Sequence, residues 1–134
     1  MKRTNRLINR RGYLSAVLLA GTACGSNNQD ARPIELNVDL DVDPAREQEL
    51  LTAFRTQFRP AISKQPGFLE VKLLRFVSTV QGAAPVNVNY RLLISFQSEA
   101  QRRTWVETPL HQKVWPSIER TLRGGFSAYL FEVV

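Results

Sequence analysis

Apolar and polar side chains alternate without a break over Ile34, Leu36, Val38, Leu40 and Val42 against Glu35, Asn37, Asp39, Asp41 and Asp43. A period of two predicts a strand with one face for a core and one for something polar. Asp43-Pro44 then has the form of a helix start, and Leu50, Leu51, Phe54, Phe58 and Ile62 recur at three- and four-residue steps, the stripe of an amphipathic helix. Pro60 predicts a kink or split in that helix, and Gln65-Pro66-Gly67 its end. Residues 67–77 read as a second strand with large apolar side chains on both faces, 78–85 as a Gly/Ala/Ser-rich loop and 86–97 as a third strand. Ser98 is placed to cap a short helix over 98–107. Thr108-Pro109 starts a second, divided again at Pro116. Gly124-Gly125 predicts its stop, with a fourth strand over 126–134.

The order strand, helix, strand, strand, helix, strand predicts an α+β, ferredoxin-like βαββαβ fold, a four-stranded antiparallel sheet with helices on one face. Strands with apolar groups on both faces leave the second face of such a sheet unsatisfied. A homodimer with sheets packed face to face, a dimeric α+β barrel, is the economical solution.

Charge changes the picture only at the start of the chain. The 134 residues carry 18 basic and 12 acidic side chains, formally +6. Lys2, Arg3, Arg6, Arg10 and Arg11 all precede Cys24, and no acid does. Without those five the balance is 13 to 12, too even for a phosphate-binding surface, and a nucleic-acid partner is not expected. A basic segment, a short apolar run from Tyr13 to Ala20 and then Gly21-Thr22-Ala23 make residues 1–23 an expected export signal. Asn9-Arg10-Arg11-Gly12-Tyr13-Leu14 resembles a twin-arginine signal; an ordinary Sec signal that holds two arginines is the alternative. Cys24 is the only cysteine, so no disulfide forms within the chain. Its place after Gly-Thr-Ala resembles a lipoprotein box, although Gly21 stands where that box usually has an aliphatic residue. Acylation of Cys24 would make the lipid anchor the only membrane attachment; a soluble periplasmic protein is the alternative. Residues 24–32 read as a flexible linker and 33–134 as the folded domain, in the exported envelope.

One His and one Cys, far apart, cannot build a zinc site, and no phosphate loop or nucleophile elbow is present. The more specific signal is Gln65-Pro66-Gly67-Phe68, Tyr90-Arg91-Leu92-Leu93-Ile94, Phe96-Gln97-Ser98-Glu99-Ala100 and Trp105-Val106-Glu107-Thr108-Pro109-Leu110-His111, in that order. Together they resemble the antibiotic biosynthesis monooxygenase (ABM)-like family of dimeric α+β barrels, over residues 33–134. The resemblance implies a cavity between helices and sheet in each subunit. It implies oxygenation of a small aromatic or quinol-like ligand with no metal or flavin cofactor, or, in another branch, haem degradation. The haem branch has an Asn on the first strand, a Trp on the second helical segment and a His ten residues later. Asn37 and Trp105 match the first two, but Trp115 stands in the third place and His111 one turn earlier. The expected catalytic set is therefore His111 as base, Asn37 as donor to an oxyanion or substrate, and Trp105 as cavity wall. Arg91 and Trp115 are expected to bind substrate. Asn37 and Trp105 are expected to line one cavity with His111 at its rim. A non-catalytic envelope module that binds a small ligand, or a haem binder, are the alternatives.

The address is testable. The wild-type protein is expected to fractionate with membranes, and Cys24→Ala to release it or leave it as precursor. Equal fractionation, with no acyl mass on residue 24, would refute the lipid anchor.

Overall fold

A computed structural model describes Arg32–Val134. The expected export signal, Cys24 and nearly all of the expected linker lie outside the described residues. Strand β1 (Ile34–Val42) leads through a single 3-10 turn at Pro44–Arg46 into a helix whose first part is α1 (Glu47–Ala53). The Asp43 carboxylate accepts the Ala45 N–H at 3.0 Å, and Pro44 takes the position where a missing N–H costs nothing. Helix α1 continues through a π-helical turn, Phe54–Phe58, into α2 (Arg59–Ile62). The predicted break at Pro60 is this wider turn. The Arg59 N–H reaches back five residues to the Phe54 carbonyl, and the extra residue makes room for a ring that would otherwise strike the carbonyl of Thr56.

Strand β2 (Phe68–Arg75) follows Gly67, whose φ of +83° suits a residue without a Cβ. Strand β3 (Tyr90–Phe96) is shorter than the predicted 86–97. The side-chain amide of Asn89 pairs with both backbone groups of Val42, at 2.8 and 2.9 Å. A side chain thus replaces the strand ladder there, and Asn87 turns at φ +56°. Helix α3 (Glu99–Val106) carries the expected Ser98 cap on the Gln101 N–H. Helix α4 (Pro109–Glu119) carries the Thr108 cap on the His111 N–H at 3.1 Å.

Two breaks expected in the sequence are absent. Helix α4 runs through Pro116. Pro116 and Gln112 both face solvent, so the carbonyl that loses its donor is left to water rather than buried. Gly124-Gly125 does not stop the helix but lies within β4 (Leu122–Glu132). The stop comes earlier, where Arg120 and Thr121 bond back to Pro116 and Ile118 and the Thr121 carbonyl accepts the Asp43 N–H at 2.9 Å.

The sheet order is β2-β3-β1-β4, every pair antiparallel, so the α+β ferredoxin-like expectation holds. In this register Ile34, Leu36, Val38 and Leu40 lie beside Phe96, Ile94, Leu92 and Tyr90. The same face holds Val71 and Leu73 of β2 and Phe126, Ala128 and Leu130 of β4. The helices cover it, and Leu40, Val42, Leu50, Phe58, Ile62, Leu92, Phe96 and Ile118 are buried there. The opposite face mixes Glu35, Asn37, Asp39, Arg91 and Lys72 with Leu74, Leu93, Tyr129 and Phe131. Phe131 is 56% exposed on it.

Candidate functional site

Capping places the chemistry. The Thr108 hydroxyl accepts the His111 N–H and donates to the Trp105 carbonyl at 2.8 Å, clamping the end of α3 to the start of α4. Trp105 and His111 therefore meet across the joint, ring centroids 5.1 Å apart and nearly perpendicular. One turn along α4, Trp115 stacks on His111 at 6.3 Å. Phe58, from the π-turn, meets the edges of both Trp105 (6.1 Å) and Trp115 (6.2 Å). Trp115 also meets Phe126 of β4 at 5.1 Å.

These rings enclose a cavity of about 410 Å³ between the helices and the sheet. Val38, Leu92 and Ile94 form its floor, and Phe126 and Leu130 one wall. Phe126 and Leu130 remain 42% and 48% exposed, so the cavity opens along β4. Among its lining side chains only Arg102 and His111 ionise. An apolar chamber with a few convergent polar groups is the usual form of a small-ligand site.

His111 is half-buried, and its Nδ1 is buried without a hydrogen-bond partner. Burial lowers its pKa below the ordinary 6.5, and the nearby Arg102 charge lowers it further. The imidazole is therefore neutral at pH 7. Arg102 is held by Glu99 through two bonds, Nε to Oε1 and Nη2 to Oε2, both 2.7 Å. The pair keeps the Glu99 carboxylate below its usual range.

Of the residues expected from the sequence, Trp105, His111 and Trp115 converge on this cavity; Asn37 and Arg91 do not. Asn37 alternates with Leu36 and Val38 and so lies on the opposite sheet face, in a shallow groove with Glu35, Arg91, Tyr129 and Phe131. Arg91 is spent there on Asp39, at 2.6 and 3.1 Å. The single pocket expected to join Asn37 to Trp105 is thus two sites on two faces. The alternation that sends Ile34, Leu36 and Val38 to the helices is what sends Asn37 away from them. Phe58, Arg102 and Phe126 were missed. Arg102 had a legible signal, since it stands three residues before Trp105 on one helix face. Phe126 had none, because its meeting with Trp115 depends on the β1–β4 register. Among the described residues no group of His, Cys, Asp or Glu could hold a metal ion, and no helix is long and apolar enough to cross a membrane.

A βαββαβ sheet with an aromatic cavity under its helices defines a ferredoxin-like α+β protein, and solved structures share the fold. A candidate antibiotic biosynthesis monooxygenase of Caulobacter crescentus CB15 superposes with a TM-score of 0.63 at 19% identity, covering 82% of this chain and 98% of that one. A dimeric ferredoxin-like protein of unknown function from Jannaschia sp. CCS1 gives 0.64 at 17%, covering 75% and 99%. SnoaB, a cofactor-independent oxygenase from Streptomyces nogalater, gives 0.58 at 16%, covering 78% and 95%. No family model matches the chain, and no curated protein does.

The depressed pKa of His111 has a measurable consequence. In the unfolded chain the imidazole titrates near 6.5, above its folded value. The unfolded state therefore takes up the proton first, and stability falls as pH drops through 6.5. His111→Gln is expected to flatten that part of the stability profile. Denaturant midpoints for both proteins between pH 7.5 and 5.5 check this; parallel curves would show that His111 titrates as if exposed.

Proposed function

We propose that the chain is a cofactor-independent monooxygenase of the antibiotic-biosynthesis type, acting on a phenol or quinol held in the aromatic cavity. The observation that carries this reading is a half-buried histidine, held neutral by burial, that lines an otherwise apolar, ring-lined chamber. A base that is neutral at working pH and lies within reach of a substrate hydroxyl can accept its proton. The resulting oxyanion is electron-rich and, away from bulk water, passes an electron to dioxygen. The radical pair combines to form a carbon–oxygen bond. Loss of water, with the proton returned from His111, leaves the product carbonyl. A quinol and dioxygen thus give a hydroxyquinone and water, with all electrons drawn from the substrate. Trp105, Phe58 and Trp115 hold the flat ring and exclude water. The fold shared with an oxygenase that needs no cofactor supports the same reading.

Haem has less support. An indole, with no lone pair for iron, stands at residue 115, and the chain's one histidine is wedged between two indoles. A binding module without turnover would use the same cavity and is separated from the oxygenase by the assay below.

The reading includes assembly and address. Tyr129, Phe131 and Leu74, exposed on the open sheet face, favour a homodimer with sheets facing. One structural neighbour is described as dimeric. The basic segment before Cys24 supports export and a lipid anchor in the envelope.

Oxygen uptake by the purified protein over a panel of phenols and quinols is expected to find a substrate. His111→Ala should lower kcat by about 10²-fold or more, the usual contribution of a general base, in a protein that remains folded at pH 7.5. The acid limb of kcat/KM should have its midpoint below 6.5. Binding without uptake across the panel would leave the non-catalytic module.

Sedimentation of the unacylated Cys24→Ser protein at micromolar concentration is expected to give a dimer, and Phe131→Asp a folded monomer. A wild-type monomer would defeat the face-to-face assembly.

A further inference from the structure

The guanidinium of Arg102 is only half used. An arginine carries five N–H groups in a planar fork. Glu99 takes the Nε and one Nη2 hydrogen, side-on. The end-on pair, one hydrogen on Nη1 and the other on Nη2, makes no hydrogen bond among the described residues. Those two N–H bonds run parallel, the spacing that a carboxylate's two oxygens match. Arg102 lines the aromatic cavity while its partner Glu99 does not. The carboxylate therefore holds the fork from outside the chamber and leaves its other edge uncommitted. The Arg102 side chain is 18% exposed, so little water competes for that edge. The rest of the lining is apolar apart from His111.

We propose that the cavity selects an aromatic hydroxy acid: an arene whose carboxylate is held end-on by Arg102 while its ring lies among Trp105, Trp115 and Phe58. The placement of its hydroxyl toward His111 rests on the oxygenase reading; recognition of the carboxylate does not. A neutral arene gains only the ring contacts. An anionic one adds two charge-assisted hydrogen bonds in a site with little water, which favours the acid over its ester by about tenfold or more.

The test uses the purified full-length protein and three probes: 6-hydroxy-2-naphthoate, its methyl ester and 2-naphthol. Calorimetry measures affinity. Quenching of Trp105 and Trp115, the chain's two tryptophans, shows that the probe sits in the cavity. The wild type is expected to bind the acid at least about tenfold more tightly than the ester or the naphthol. Arg102→Met is expected to bring that ratio to near one while the ester's affinity holds, which also shows that the cavity remains folded. Arg102→Lys should keep part of the preference, as a point charge without the fork. Equal binding of acid and ester by the wild type would overturn the proposal, as would no binding of any probe. So would an Arg102→Met protein that loses both ligands alike, since Arg102 would then serve only to support the wall. Failure of the two readings is distinguishable. An acid that binds without oxygen uptake would count against the oxygenase and leave the carboxylate site standing. Turnover of neutral quinols, with no preference for the acid, would do the reverse.

Discussion

Strand β1 is the constraint on which the rest depends. It lies inside the sheet, bonded to β3 on one side and β4 on the other, and its apolar residues fall on one face only. A slip of one residue would drive Asp39 and Asp41 into the helices and Leu40 and Val42 into the open. Burying a side chain the size of Leu40 is worth about 1.5–3 kcal/mol, so the register is held by several such terms acting together. Once it is set, β4 must present Phe126, Ala128 and Leu130 beneath the helices. The cavity's floor and wall are fixed by the same alternation that makes the core.

That alternation also explains what could be read in advance. Helix starts depend on two or three adjacent residues, and Asp43-Pro44, Ser98 and Thr108-Pro109 all cap as their sequence says. Proline and glycine were harder, because their effect depends on surroundings that a sequence does not display. Pro116 is harmless on a solvent face, Pro60 is absorbed by a π-turn, and Gly124-Gly125 is carried along by the β1–β4 ladder. The site was half legible for a similar reason. Trp105, His111 and Trp115 lie close in sequence, across one capped joint. Asn37 is joined to them only through the sheet, and there parity decides: an odd position on β1 cannot share a chamber with side chains that pack on the even ones.

The cavity itself is a compromise between packing and vacancy. Phe58, Trp105 and Trp115 touch edge to face, an arrangement favourable by about 0.5–1.5 kcal/mol per pair beyond burial. Truncating Phe58 would therefore remove both core volume and the brace of the chamber. Within that frame the two ionisable side chains take opposite solutions to burial. Arg102 keeps its charge because Glu99 neutralises it at two points. His111 has no such partner, so burial and the Arg102 charge leave it neutral. An anion entering the chamber would meet a fixed positive fork and an uncharged base.

The two faces of the sheet differ in character. The helix face contains the chamber, whose polar groups come from helices and whose β4 wall is partly open. The other face pairs Arg91 with Asp39 and leaves Tyr129 and Phe131 beside Asn37 in a groove too shallow to enclose a ligand. Exposed rings set among paired charges suit a second protein surface better than a small molecule, because a flat partner can cover the rings while the charges satisfy each other in place. Asn37, already buried in the single chain, would then lie beneath that interface. A substitution there should act through assembly, whereas one at Trp105 or His111 should act through the chamber. Face-to-face packing would press on β1 and β4 from behind the cavity floor, so the open wall at Phe126 and Leu130 would be steadied by contacts made on the far side of the same strands.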